Sequence, residues 1–201
     1  MKKLIILLAT SFFLISGCTV INNQKDGLPP IKTANTYIND QYNFSIQYPD
    51  DLAPTSTFQV SYIVSDAWSL LASPTGTGDK IVAFVVSGSN NITSAELRIG
   101  ANRDQTEVSK CTKAPDFVIP NVKNVTINGT NFIDFEWNDA AMSHYNFVRA
   151  YRTVKNNVCI AVELFVAGTN PQVYDPPATP PFTQDYAFAQ LEKILQTLTF
   201  H

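Results

Sequence analysis

Asp134 and Glu136 stand two residues apart in Ile133-Asp134-Phe135-Glu136-Trp137. A period of two puts both carboxyls on one face of a strand, with Asn138 next on that face and Asp139 beyond. Such a pair could bind calcium or serve as acid and base. The other face carries Ile133, Phe135 and Trp137, so alternation alone also accounts for the acids as a solvated face. No calcium-loop motif accompanies them. Two histidines could supply a base. His144 follows Ala140-Ala141-Met142-Ser143, in a turn ahead of a strand. Its neighbour Ser143 does not by sequence alone make a catalytic geometry, and no G-x-S-x-G elbow is present. His201 is the last residue and is expected to be mobile. No catalytic residue is assigned, and no metal or cofactor is expected.

Arg98, Arg149, Arg152 and Glu163 lie inside otherwise apolar or alternating segments. A charge there must reach solvent, pair, or meet a ligand. Glu163 shares a strand face with Cys159, Ala161 and Phe165, so it needs a cationic partner if that face is covered. Arg98, Arg149 and Glu163 are the candidates for a ligand-facing polar cluster. A structural ion pair is the competing reading.

The elements that position these residues follow from hydrophobic periodicity. Tyr42, Phe44, Ile46 and Tyr48 alternate with polar residues until Pro49 stops the strand. Phe58, Val60, Tyr62 and Val64 repeat the alternation, and residues 68–72 form a short apolar run. Residues 81–86 are apolar throughout, which reads as a central strand covered on both faces. Ala95, Leu97, Ile99 and Ala101 alternate with Glu96, Arg98, Gly100 and Asn102. Asp104-x-x-Glu107 resembles a capping box opening a short helix, with Val108 and Cys111 on one face. Asn128-Gly129 suits a type I′ hairpin turn, and Asn156-Asn157 is a second turn between strands at 146–154 and 158–166. Five prolines make 170–181 a loop, which with Tyr174 and Phe182 could offer an exposed surface. A last helix starts near Thr183 and aligns Phe188, Leu191, Leu195 and Leu198. The content is α+β: one central, mainly antiparallel sheet flanked by helices.

The first eighteen residues read as an address. Lys2 and Lys3 precede an apolar run at 4–15, too short for a spanning helix but suited to a signal peptide. Ile15-Ser16-Gly17-Cys18 resembles the lipobox of bacterial lipoproteins. That resemblance implies diacylglycerol on Cys18, cleavage after Gly17 and acylation of the new amine. Two or three acyl chains anchor stably where one does not. Thr19, rather than Asp, leans toward the outer membrane in a Gram-negative host. The expected organisation is a signal peptide at 1–17, a lipidated flexible tether at 18–35, and a single α+β domain at 36–201.

With Cys18 taken by lipid, Cys111 and Cys159 remain as an even pair in an exported domain. A disulfide is expected; a buried free pair or a metal site are the alternatives. Two thiolates without a nearby histidine do not complete a zinc shell.

Tyr42-x-Phe44-Ser45-Ile46-x-Tyr48-Pro49, together with a terminal helix running into Leu198-Thr199-Phe200, resembles the PsbP/Mog1-type α/β sandwich. The resemblance implies an antiparallel sheet with helices on both faces, and assembly or binding roles rather than a particular reaction. A lipocalin-like barrel and a β-sandwich are the alternative folds; the terminal helix and the covered strand count against both.

Composition bounds the function. The 201 residues are 45% hydrophobic and 15% charged, which excludes disorder. Removing residues 1–17 takes two lysines and no acid, so the net charge moves from −3 to −5. Such a chain lacks the basic excess of a nucleic-acid binder. The expectation is a lipid-anchored protein of the bacterial envelope that binds an envelope protein partner as an accessory or assembly factor. The alternatives are an envelope-polymer hydrolase using Asp134, Glu136 or His144, and a carrier of a small apolar ligand.

Overall fold

The structure is a computed structural model, which describes residues 34–58, 78–115 and 122–201. The lipobox segment with Cys18, nearly all of the tether, the strand expected beyond Phe58 and the apolar run at 68–72 lie outside the described residues.

Ten strands are present among those residues: β1 (Ala34–Asn39), β2 (Phe44–Pro49), β3 (Pro54–Thr55), β4 (Asp79–Val85), β5 (Thr93–Asn102), β6 (Lys123–Ile127), β7 (Thr130–Ala141), β8 (His144–Lys155), β9 (Val158–Thr169) and β10 (Thr199–Phe200). Two α-helices accompany them, α1 (Gln105–Lys110) and α2 (Gln184–Leu195). Three two-residue turns set the register of the largest part. Asn128-Gly129, Met142-Ser143 and Asn156-Asn157 all have positive φ at both positions. That is the type I′ geometry, whose twist matches the strands it joins. The turns chain β6 through β9 into an antiparallel meander.

β9 also pairs with β5, and the complete sheet runs β3-β4-β5-β9-β8-β7-β6. Every pairing is antiparallel. β3 and β6 end the order without meeting each other, so the sheet stays open and no barrel forms. The centre of the sheet is β9. The apolar strand expected to be central, β4, lies next to the edge strand β3, although it is covered on both sides. Val82 and Phe84 join one apolar cluster and Ala83 another.

A second sheet of three strands has β2 between β1 and β10. Phe44 and Ile46, fully buried on β2, pack with α2 onto one face of the large sheet. Thr183 caps α2 by accepting from the Tyr186 N–H. The helix then buries Ala187, Phe188, Leu191, Ile194 and Leu195. Each large side chain taken from water there contributes about 1.5–3 kcal/mol. The other face takes α1. Asp104 caps it, accepting from the N–H groups of Thr106 and Glu107, an interaction contributing about 1 kcal/mol. The reciprocal half of a capping box is not made, because the Asp104 N–H donates to Asn102 Oδ1. Helices thus cover both faces, and the α+β expectation holds.

Covering both faces changes the reading of β5. Its alternation would suit one wet face, yet Glu96 and Arg98 are as buried as Leu97 and Ile99. Apart from Ser94, every residue of the strand is buried, so neither face is the wet one.

Candidate functional site

Arg98 pairs in register with Glu163 across β5 and β9, and Glu163 with Ala150 across β9 and β8. Residues directly opposite share a face, so Arg98 and Glu163 lie together. Arg98 Nε donates to Glu163 Oε2 at 2.7 Å, and its Nη2 lies 2.6 Å from the same oxygen. Glu96 Oε1 is 3.6 Å from Arg98 Nη1. The guanidinium rests 4.5 Å from the Phe165 ring centroid. Arg152 occupies the same face, opposite Ala161 on β9. Its guanidinium lies 4.7 Å from the Phe135 ring centroid and makes no hydrogen bond among the described residues. Burial pushes the Arg152 pKa down to about 10, against the attraction of Glu163 and Glu107. Two arginines and two glutamates balance in charge, so this layer acts as a buried structural network rather than an open site.

Arg149 does not belong to it. The register places Arg149 opposite Leu164, on the other face of the sheet. There its Nη1 donates to Glu192 of α2, and its Nε lies 3.3 Å from Glu136. Its guanidinium sits 4.1 Å from the Phe188 ring centroid. The expected cluster of Arg98, Arg149 and Glu163 therefore splits, because one residue of strand offset reverses the face. The sequence marks Arg152 as a charge inside a strand but not as a member of the cluster, and it leaves Glu96 out altogether.

Asp134 and Glu136 lie on the Arg149 face. Glu136 is exposed, as alternation implied, but Asp134 is half-buried and its Oδ1 makes no hydrogen bond. Burial raises the Asp134 pKa, and the Glu136 carboxylate adds to the rise. Among the described residues no three metal-ligating side chains converge. His144 starts β8, while Tyr151, the residue opposite Asp134, lies toward that strand's other end. The residues of the hydrolase alternative are thus spread along the sheet. His144 Nδ1 meets Thr169 Oγ1 at 3.2 Å. His201 is not loose: its N–H donates to Asn43 O at 2.9 Å and its Nε2 is 2.9 Å from Ser45 Oγ. Phe182 packs against the core rather than standing out as a docking surface, while Tyr174 is exposed.

A cleft of about 350 Å³ opens at one end of the sheet, where three connections meet. The β1–β2 turn supplies Gln41, Tyr42 and Asn43; the step from β5 into α1 supplies Arg103 and Gln105; the β8–β9 hairpin supplies Lys155, Asn156 and Asn157. Asn43, Asn156 and Asn157 hold positive φ, which asparagine tolerates better than other side chains. Asn157 Nδ2 donates to Gln105 Oε1 at 3.0 Å, joining two of the walls. The Arg103 guanidinium lies 5.0 Å from the Tyr42 ring centroid, and the Tyr42 hydroxyl donates to Asp79. Burial, then the Asp79 carboxylate, pushes the Tyr42 pKa up to about 12. Lys155 Nζ stands 5.4 Å from the Phe200 ring centroid.

A disulfide fixes this end of the fold. Cys111 and Cys159 are bonded, with Cα atoms 5.5 Å apart, so α1 is tied to the strand that leaves the β8–β9 turn. The expected pairing is the one present. The cleft itself was not foreseen: its walls are turns, and periodicity marks strands and helices. Asn156-Asn157, flanked by Lys155, was the one visible signal.

No family model matches the chain, and no curated protein does. Among solved structures, the crystal structure of a protein from Bacteroides thetaiotaomicron VPI-5482 is similar at TM-score 0.46 and 13% identity, over 83% of this chain and 48% of that one. This chain spans about half of that protein's length. The solution structure of cyanobacterial PsbP (CyanoP) from Synechocystis sp. PCC 6803 is similar at TM-score 0.42 and 9% identity, over 87% of this chain and 96% of that one. Neither likeness bears on activity.

Proposed function

We propose that the chain is a lipid-anchored protein of the bacterial envelope that works by binding, as an accessory or assembly factor, and that the turn-lined cleft is its recognition site. The cleft carries this reading. It brings amide side chains and two cations together on three connections, and the Cys111–Cys159 bond holds two of those connections in place. A preformed site of this kind limits the ordering cost of binding. Its lining sets five amides and two cations beside Tyr42, Val158 and Ile160, a mixture that suits a polar ligand with a small apolar face better than a wholly apolar cargo. The Ile15-Ser16-Gly17-Cys18 segment supports the anchor, and Thr19 supports the outer membrane in a Gram-negative host. The acidic chain is repelled mildly by anionic lipid, so acyl chains on Cys18 do the anchoring. A photo-cross-linker at Val158, which lines the cleft without supplying an amide or a charge, tests the recognition site in the native envelope.

A further inference from the structure

Within that binding role, we infer that the cleft takes an anionic sugar, a uronic acid or a sugar phosphate. The inference rests on the cleft being the recognition site. Five of its side chains are amides: Gln41, Asn43, Gln105, Asn156 and Asn157. Each amide both donates and accepts hydrogen bonds, as sugar hydroxyls do. Its charged lining groups, Arg103 and Lys155, are both cations, although the whole chain carries a net charge of −3. Arg103 is exposed and Lys155 half-buried. They approach the cleft from different elements, Arg103 beyond the end of β5 and Lys155 at the end of β8. An oxyanion in the cleft gains charge-assisted hydrogen bonds from either cation, the guanidinium fitting a carboxylate or phosphate in two-point fashion.

Size and backbone argue for a compact ligand. A volume of about 350 Å³ is at the small end for ligand sites, roughly 300–1,000 Å³. That is room for one or two sugar rings. An acidic peptide docks by extending a sheet edge or filling a long groove, whereas this cleft is bordered by tight turns rather than a free strand edge. The Asn157–Gln105 hydrogen bond fixes two of the amides before any ligand arrives, and Tyr42 carries Arg103 against its ring.

The test is a chemical-shift titration of the full chain in detergent micelles with glucuronate, glucose 6-phosphate, glucose and inorganic phosphate. The two anionic sugars should give saturable shifts at Asn43, Arg103, Lys155 and Asn157. Glucose and inorganic phosphate should each bind at least about tenfold more weakly, since each lacks one half of the recognition. Raised salt should weaken the anionic sugars. The double variant Arg103→Gln, Lys155→Gln should weaken them at least about tenfold and leave glucose unchanged. Asn157→Ala, which keeps both cations, should weaken all the sugars and spare phosphate. Glucose equal to glucuronate, phosphate equal to glucose 6-phosphate, a double variant without effect, or no saturable shift in the cleft would each overturn the inference. Cross-links from Val158 to an envelope protein without any sugar response would overturn it while leaving the binding role in place. Absence of both cross-links and sugar response would remove the two together.

Discussion

Arg98 and Glu163, 65 residues apart in sequence, close an ion pair across the seam between β5 and β9 with 1% and 0% of their surfaces exposed. The seam joins the β6–β9 meander to the first half of the sheet. A mispaired register would strand one charge in an apolar layer, so the pair penalises every alternative alignment of the two strands.

Arg98→Met should therefore cost about 3–5 kcal/mol, because Glu163 is left buried without its partner. The double variant Arg98→Met, Glu163→Leu should recover most of that loss. Denaturant unfolding of the single and double variants measures both, and equal losses in the two would contradict the pairing argument.

Arg152 presents a different case. Its guanidinium has no hydrogen bond among the described residues and burial already disfavours its charge. Arg152→Met leaves the buried Glu96 and Glu163 with one cation between them but breaks no hydrogen bond, so stability should fall by less than the loss of about 3–5 kcal/mol expected of Arg98→Met. A loss as large as that of Arg98→Met in the same unfolding assay would show that Arg152 has a partner of equal weight.

Cys159→Ser should lower stability by about 2–4 kcal/mol under oxidising conditions, since it opens a loop across 48 residues. In reducing buffer the variant and the parent should unfold nearly together. Two alkylatable thiols in the unreduced protein would contradict the bond.

Asp134 gives a pH dependence with a defined sign. Burial first, and Glu136 second, raise its pKa in the folded state. Over the window from the ordinary carboxylate value up to the raised one, the folded chain holds more protons than the unfolded chain. Stability falls as pH rises through that window and is recovered as pH drops back through it. Asp134→Asn should flatten this slope and raise the thermal midpoint at neutral pH. An unchanged slope across the acid range would place the titration elsewhere.

If Cys18 carries the proposed lipid, Cys18→Ser should abolish attachment, leaving precursor or soluble protein, because no other cysteine lies beside the apolar run at 4–15. Membrane association that still needs detergent for release would contradict the anchor.

Much of the sheet was legible because its hairpins are short. Asn128-Gly129 and Asn156-Asn157 named two of the three turns, and the F-S-I-x-Y-P alternation gave β2 with its buried Phe44 and Ile46. The second turn also held a signal that went unused. With Lys155 opposite Val158, Arg149 must face Leu164 and Arg152 must face Ala161. Parity alone thus excludes Arg149 from the Glu163 face and admits Arg152. The Arg98–Glu163 pairing was different, because no local turn fixes the register of β5 against β9. The burial of Glu96 needed the same long-range knowledge. The cleft was least legible, since Gln41, Arg103 and Asn157 come from three separate connections that only the closed fold brings together.

The binding role is tested most directly by placing a photo-cross-linker at Val158, which lines the cleft but supplies neither an amide nor a cation, in the full chain within its native membrane, with a second copy of the experiment at the exposed Gln172 as control. A discrete protein or glycan adduct should form from Val158, diminish when Arg103 and Lys155 are both replaced by Gln, and be missing from Gln172. No adduct from Val158, or the same adducts from both positions, would contradict recognition at the cleft.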